Sequence, residues 1–329
     1  MDADERITLP GPPDQMDKAQ WRRSVAPSVV VDRPFDPAPL MDALAETGRA
    51  DRFRFAVFAD THHGAAFQDV IRAIRAGGAD FAVAAGDLVD LGGGREGPAN
   101  YARLAAEAGE FLRAMPVWPA IGNHDADSRW DADVWNGWAN FRTFFNLQPT
   151  YAFTFANATF CVLSWMLPDE AELAWLTDQL EARRTEHCFV VAHYPLYNVT
   201  GMVGAAAEER PIERELKALL TRHRVTAHLA GHSHIYYRTV RSGVTHLICG
   251  GGGGAIAEIA DASAAREGDA YYGRESGGAG YVLRAGGRVR RWDRERHFFV
   301  MIDVAGPRAT ARTVATDGEV WETFPLARP

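Results

Sequence analysis

From Phe53 onward, short apolar runs alternate with longer stretches whose apolar residues recur at helical spacing. The runs 53–59, 81–85 and 117–121 have the length of strands, and each is followed by a helical pattern, at 65–76, 98–114 and 130–145. This alternation predicts an α/β sheet whose functional loops gather at the carboxyl ends of its strands. A second set opens with runs 151–155 and 159–165, split by Asn157 as a hairpin, and a helix over 169–184 with Leu173, Leu176 and Leu180 on one face. Strands at 189–192, 225–229, 236–240 and 244–249, with a helix at 208–223, continue the pattern. Beyond residue 280 four strands are predicted without helices, at 281–284, 289–292, 298–304 and 309–314, which implies a second, mixed sheet rather than a separate domain.

Residues 1–50 break this texture. They carry Pro10, Pro12, Pro13, Pro27, Pro34, Pro37 and Pro39 and lack periodicity until 40–44, so they read as an extended arm with one short helix, draped over the core. The remainder, 51–329, reads as a single domain with a β-rich C-terminal part.

Composition narrows the partners. At 47% hydrophobic and 24% charged the chain is an ordinary folded protein, which excludes a disordered or collagen-like polymer. The net charge of -8, with Lys18 and Lys217 as the only lysines, argues against a nucleic-acid polymer or an anionic membrane surface. Cys161, Cys188 and Cys249 are odd in number and lie in apolar runs, as buried free thiols do. The first twenty residues contain no apolar leader, and no stretch approaches the ~18 apolar residues of a membrane span. The expected location is the cytoplasm.

Five polar clusters each follow a predicted strand: Asp60-Thr61-His62; Gly86-Asp87-Leu88-Val89-Asp90; Gly122-Asn123-His124-Asp125; His193 after Ala192; and Gly231-His232-Ser233-His234. Carboxylates, imidazoles and one carboxamide delivered by five loops to one sheet edge describe a site for hard or borderline divalent metals.

With these motifs the sequence resembles the calcineurin-like metallophosphoesterase superfamily, over about residues 53–249, and within it the purple acid phosphatase branch, through Tyr194-Pro195-Leu196-Tyr197 after His193. The resemblance implies an α/β fold, a four-layer α/β-β-α sandwich of two mixed sheets. It also implies two divalent ions, Mn, Fe or Zn: Asp60, His62 and His234 on the first, Asn123, His193 and His232 on the second, and Asp87 bridging them. His124 is then a catalytic group outside the metal shell, with Asp125 orienting its ring. That branch has a ligating Tyr where this chain has Asp90, so a purple ferric centre is not expected.

The chemistry is consistent with this assignment. Two ions, two carboxylates and a bridging hydroxide leave a net charge of about +1, which attracts an anion to an acidic chain, and metal coordination brings the pKa of water from 15.7 towards ~7. The expected activity is hydrolysis of a small phosphate ester by that hydroxide, with monoesters favoured. A phosphodiesterase acting on a nucleotide or cyclic nucleotide stays open, as do a dimetal centre adapted to a non-phosphate bond and a scaffold that keeps the fold without metal.

Flanking residues offer further candidates. His63, Tyr194, Tyr197 and Asn198 are placed to contact substrate. The aromatic stretch Trp130, Trp135, Trp138, Phe141, Phe144 and Phe145 is either a helix packed on the sheet or a cap over the site. Gly250 to Gly254, with no Gly-Lys-Ser/Thr following, reads as a flexible border of the metal site rather than a nucleotide loop. Arg284, Arg288, Arg290, Arg291, Arg294 and Arg296 read as a solvated hairpin face.

Overall fold

The computed structural model describes residues 27–48, 51–126, 136–164, 168–201 and 210–326. Sixteen strands among them form two sheets. The first has the order β16-β15-β14-β1-β2-β3, from β1 (Arg52–Phe58), β2 (Phe81–Ala84), β3 (Val117–Pro119), β14 (Phe298–Ala305), β15 (Arg308–Ala315) and β16 (Val320–Pro325). The second runs β13-β12-β11-β8-β9-β7-β6-β5-β4. It is built from β4 (Tyr151–Phe155), β5 (Ala158–Val162), β6 (His187–Val191), β7 (Ala227–Ala230), β8 (Tyr236–Arg241), β9 (Val244–Cys249), β11 (Ala270–Glu275), β12 (Tyr281–Ala285) and β13 (Arg288–Trp292), with β10 (Glu258–Ile259) beside β11.

Residue parity along the strands explains the layering. In β1 the side chains of Phe53, Phe55 and Val57 enter the core between the sheets, while Ala56 and Phe58 face the helices. In β6 Phe189 and Val191 point into the same inter-sheet core, and Cys188 and Val190 away from it. Rings from both sheets meet there: Phe55 lies edge-on to Phe160 and Phe189 at 5.2 and 5.1 Å between centroids. Helices α2 (Phe67–Ala76), α3 (Gly97–Ala114) and α5 (Gly137–Phe145) cover the outer face of the first sheet. Helices α6 (Glu170–Ala182) and α7 (Pro211–Arg222) cover the second, through Leu173, Leu176, Leu180, Leu216 and Leu220. Four layers, α/β-β-α, result.

Departures from expectation lie mainly in the tail. Its strands do not make a sheet of their own: β14 pairs antiparallel with β1, while β11 to β13 extend the second sheet from β8. Strands β11 and β16 escape periodicity because one carries Gly273 and the other closes on Pro325. Helix α1 (Ala38–Ala45) is the short helix of the arm, and Val29, Phe35 and Met41 are buried against the domain. Residues 1–26, 127–135 and 202–209 lie outside the described residues, which takes in 130–135 and 208–209 of the predicted helices at 130–145 and 208–223. No helix among the described residues is long and apolar enough to cross a membrane.

Candidate metal centre

Parallel strands β1, β2 and β3 end at one edge of the first sheet, and the parallel strands β6 and β7 end at one edge of the second. Backbone hydrogen bonds tie neighbouring loops within each edge, Asp60 N–H to Gly86 O at 3.0 Å and Gly231 N–H to His193 O at 3.0 Å, and Gly252 N–H to Ala59 O at 2.8 Å joins the second edge to the first. The turns that follow are tight. Among the described residues ten non-glycine residues have positive φ, and six of them are Asp60, His62, His63, Asp87, His232 and His234. Such conformers cost on the order of 1 kcal/mol or more each, so strain is concentrated where the polar side chains converge. Gly122 is required by proximity, since a Cβ there would sit 2.1 Å from Asp87 Oδ1.

Three groups of side chains bring potential ligand atoms within 4.8 Å of one another: Asp60, His62 and His234; His62, Asp87 and His124; Asp87, His193 and His232. Asn123 joins the last group, its Oδ1 lying 3.1 Å from His193 Nε2 and 3.0 Å from His232 Nδ1. Asp87 Oδ2 stands between the sets, 3.6 Å from His62 Nε2 and 3.1 Å from His193 Nε2. Backbone carbonyls fix two of the imidazoles: Nδ1 of His193 reaches Ala85 O at 2.8 Å and Nδ1 of His234 reaches Ala255 O at 2.9 Å, which turns each Nε2 towards the facing carboxylates, Asp87 and Asp60. His62 is held at its far nitrogen by Asp90, with Nδ1 3.4 Å from Oδ1.

Charge is finely divided here. Burial opposes a proton on His62 and on His193, yet facing carboxylates, Asp87 foremost, push them up to about 10 and about 9. His232 is buried beside His193 and falls to about 3. Burial also raises Asp60, whereas Asp87, although buried, is held well below the usual carboxylate range by His193 and His124. Asp60 Oδ2, His62 Nε2 and His232 Nε2 are buried with no hydrogen-bond partner. Buried polar atoms without a partner are rare and costly, and a divalent cation that displaces the imidazole protons would satisfy them; carboxylate, imidazole and carboxamide donors fit Mn, Fe or Zn.

The family model for calcineurin-like phosphoesterases matches residues 53–236, the span that carries all seven of these side chains, from Asp60 to His234. The chain belongs to the calcineurin-like phosphoesterase family. Human tartrate-resistant acid phosphatase type 5 is 26% identical over 217 residues, covering 56% of this chain and 65% of the relative. The pig protein of the same name is 34% identical over 85 residues, covering 25% and 23%. The chain thus spans less than two thirds of the length of these curated relatives. A purple acid phosphatase from yellow lupin (Lupinus luteus) seeds shares the fold with TM-score 0.65 at 18% identity, covering 85% of this chain and 55% of that one. GAP50, the anchor in the inner membrane complex of Plasmodium, does so with TM-score 0.58 at 15% identity, covering 85% and 90%.

Around the centre several flanking residues stand elsewhere than expected. Asp125 does not orient the ring of His124. Its two oxygens accept from the backbone amides of Gly122, Asp87, Leu88 and Val89 at 2.8–3.2 Å, pinning the ligand loops together. Burial, with Asp87 nearby, still pushes it up to about 6. The ring of His124 is held by Asp90 O, 2.7 Å from Nδ1. His63 turns inward, its Nδ1 3.0 Å from Glu107 of α3, and does not face the centre's solvent side. Asn198 accepts from Val199 and Thr200 amides and donates to Ser233 Oγ at 2.6 Å, bracing the Gly231–His234 turn instead of reaching outward. Tyr197 packs on His246 at 4.7 Å under Lys217, and Tyr194 is buried between His232 and Arg210.

Trp138, Phe141, Phe144 and Phe145 are core residues on the first sheet, while Trp130 and Trp135 lie outside the described residues. Gly250 to Gly254 does border the centre, as a buried segment tied to Ala59 and Asp60 by backbone hydrogen bonds. The carboxylate of Asp90 stands beside His62, the outer place its position in Gly-Asp-x-x-Asp suggests. Sequence reasoning missed Glu107, and it missed the backbone carbonyl of Asp90 at His124, which no residue type signals.

Proposed function

We propose that the chain hydrolyses small phosphate esters, phosphomonoesters foremost, at a centre of two divalent ions, Mn, Fe or Zn. Asp60, His62 and His234 would hold one ion, Asn123, His193 and His232 the other, with Asp87 shared. The single observation that carries this reading is the meeting of these seven side chains, with three buried polar atoms left unpartnered among them. When bound, the ions supply charge for the phosphoryl oxygens and a water acidic enough to attack phosphorus at neutral pH.

The chain's own residues do the rest. His193 and His234 present Nε2 because backbone carbonyls hold Nδ1. His124 is tethered through Nδ1–H to Asp90 O, so its Nε2 faces the reaction, and in the imidazolium form, with both nitrogens protonated, Nε2–H is the group that hands a proton or hydrogen bond to the departing oxygen. Asp125 keeps the loops of Asp87 and Asn123 in register. The cysteines are all buried and free, which supports a reducing compartment, the cytoplasm.

A scaffold reading has a specific observation in its favour, since the fold is shared with a protein described as an anchor. The complete donor set weighs against it. A panel of phosphomonoesters, phosphodiesters and nucleotides assayed with Mn, Zn and Fe(II) tests the proposal. Turnover of alkyl and aryl monoesters is expected; turnover of diesters alone would move the assignment to a phosphodiesterase, and no turnover of any phosphate ester would overturn it.

A further inference from the structure

Helix α5 begins among aromatic residues, yet it carries Asn140, fully buried, and Asn136 just before its first turn. A buried carboxamide demands partners for all its polar atoms, and those of Asn140 lie in two distant segments. Oδ1 accepts from the amides of Ser28 at 2.7 Å and Val29 at 3.0 Å, and Nδ2 donates to Gly92 O at 2.8 Å. Asn136 repeats the arrangement one turn earlier: its Oδ1 accepts from Gly94 N–H at 2.8 Å and its Nδ2 donates to Ser28 Oγ at 2.8 Å. Two side chains spaced by four residues on one helix face therefore grip both ends of the short segment 92–94.

That segment continues directly into the centre. Gly92 N–H donates to His124 O at 2.7 Å, and Asp90, two residues before, accepts His124 Nδ1 and faces His62 Nδ1. The packing leaves little slack: a Cβ on Gly92 would lie 1.8 Å from Asp125 O, and one on Gly137 would lie 2.5 Å from Ala126 O. Displacing residues 92–94 thus displaces the carbonyl that fixes the tautomer of His124.

We propose that Asn136 and Asn140 are positioning residues that clamp residues 92–94, and through Asp90 fix the imidazole of His124, with the arm at Ser28 and Val29 locking the clamp from outside. Neither asparagine touches substrate or metal. The functional part of the claim rests on the phosphoesterase reading; the structural part does not.

The test separates the two. In the metal-free, full-length protein, nitrogen-15 spectra of the histidine side chains report the tautomer of His124. The expected wild-type form carries the proton on Nδ1, and Asn140→Leu should give a tautomer mixture. In the metal-loaded protein, Asn140→Leu should retain both ions and a nearly unchanged KM. Its kcat on an alkyl phosphate should fall roughly 10- to 100-fold, the scale of a displaced catalytic group, with a much smaller loss on nitrophenyl phosphate. Should Asn140→Leu not fold, Asn136→Ala carries the same measurements, with about a threefold effect expected. An unchanged His124 spectrum in a folded variant would overturn the clamp. A changed spectrum with equal losses on both substrates would leave the clamp and remove its catalytic role. An inactive wild type with the expected spectra would contradict the phosphoesterase reading alone.

Discussion

The protein buries two sets of histidines, one in the loops at the strand ends and one within β7 and β9 of the second sheet, and His62 and His193 of the first have charge preferences opposite to those of the second. His62 and His193 face Asp87, whose carboxylate outweighs the cost of burial and pushes them up to about 10 and about 9. His228 and His246 pair across β7 and β9 with rings 5.6 Å apart, and what faces them is cationic: Lys217 towards both, and Arg241 towards His246. Burial and these charges push His228 down to about 3 and hold His246 well below the usual imidazole range. Both sets have unpartnered ring nitrogens. Neither burial nor a depressed pKa marks a functional histidine, since His232 at the centre falls to about 3 as His228 does; what separates the sets is the carboxylates among them, which give the first set the composition of a cation site.

Removing the carboxylate that defines the first set should have the largest effect. Asp87→Ala is expected to lose metal and, with several kcal/mol of charge stabilisation gone, about 10³-fold or more of phosphatase activity. Elemental analysis beside a phosphate-release assay checks both, and an active, metal-loaded variant would erase the distinction between the sets. His124→Ala should keep both ions and lose about 10²-fold on an alkyl phosphate, far less on nitrophenyl phosphate, whose anion leaves unaided. Loss of metal would instead make His124 part of the donor set, as its place beside His62 and Asp87 allows.

The second set should show itself in stability, not activity. His228 has its folded pKa depressed below the unfolded value near 6.5, so the unfolded chain binds the extra proton. Its stabilising share is complete above that value and is lost as pH falls from about 6.5 towards the folded value of about 3. Between pH 7 and 5 the wild type should lose about 2 kcal/mol more than His228→Leu. Urea melts of both proteins at the two pH values measure the difference, and parallel losses would show that this pair titrates normally. The smallest effect is expected far from both sets. Arg291 pairs with Glu275 at 2.6 Å on the exposed hairpin, and Arg291→Gln should change stability by no more than about 0.5 kcal/mol and leave activity unchanged.

The ligand loops were legible because each follows an apolar strand and carries a residue type with little other reason to be there. Most strands of both sheets were legible as short apolar runs between helical patterns. Three kinds of feature were not. The role of Asp125 was misread because adjacency in sequence suggests contact, whereas the short helix α4 (Asn123–Ala126) aims its carboxylate back at the amides of Gly122 and Asp87. His63 directly follows the candidate ligand His62, but with positive φ at both residues its ring stands against Glu107. The tail strands carried the right period, yet their partners depend on long-range pairing, β14 with β1 across 249 residues at Arg54 and Asp303, which no local pattern encodes.

The central claim is that the carboxylate-facing set is a two-metal site. Crystals of the protein purified without chelator, measured at the absorption edges of Mn, Fe and Zn, address it most directly. Two anomalous peaks per chain are predicted, one among Asp60, His62 and His234 and one among Asn123, His193 and His232, with Asp87 shared between them. Absence of metal at these residues in protein supplied with all three ions would contradict it.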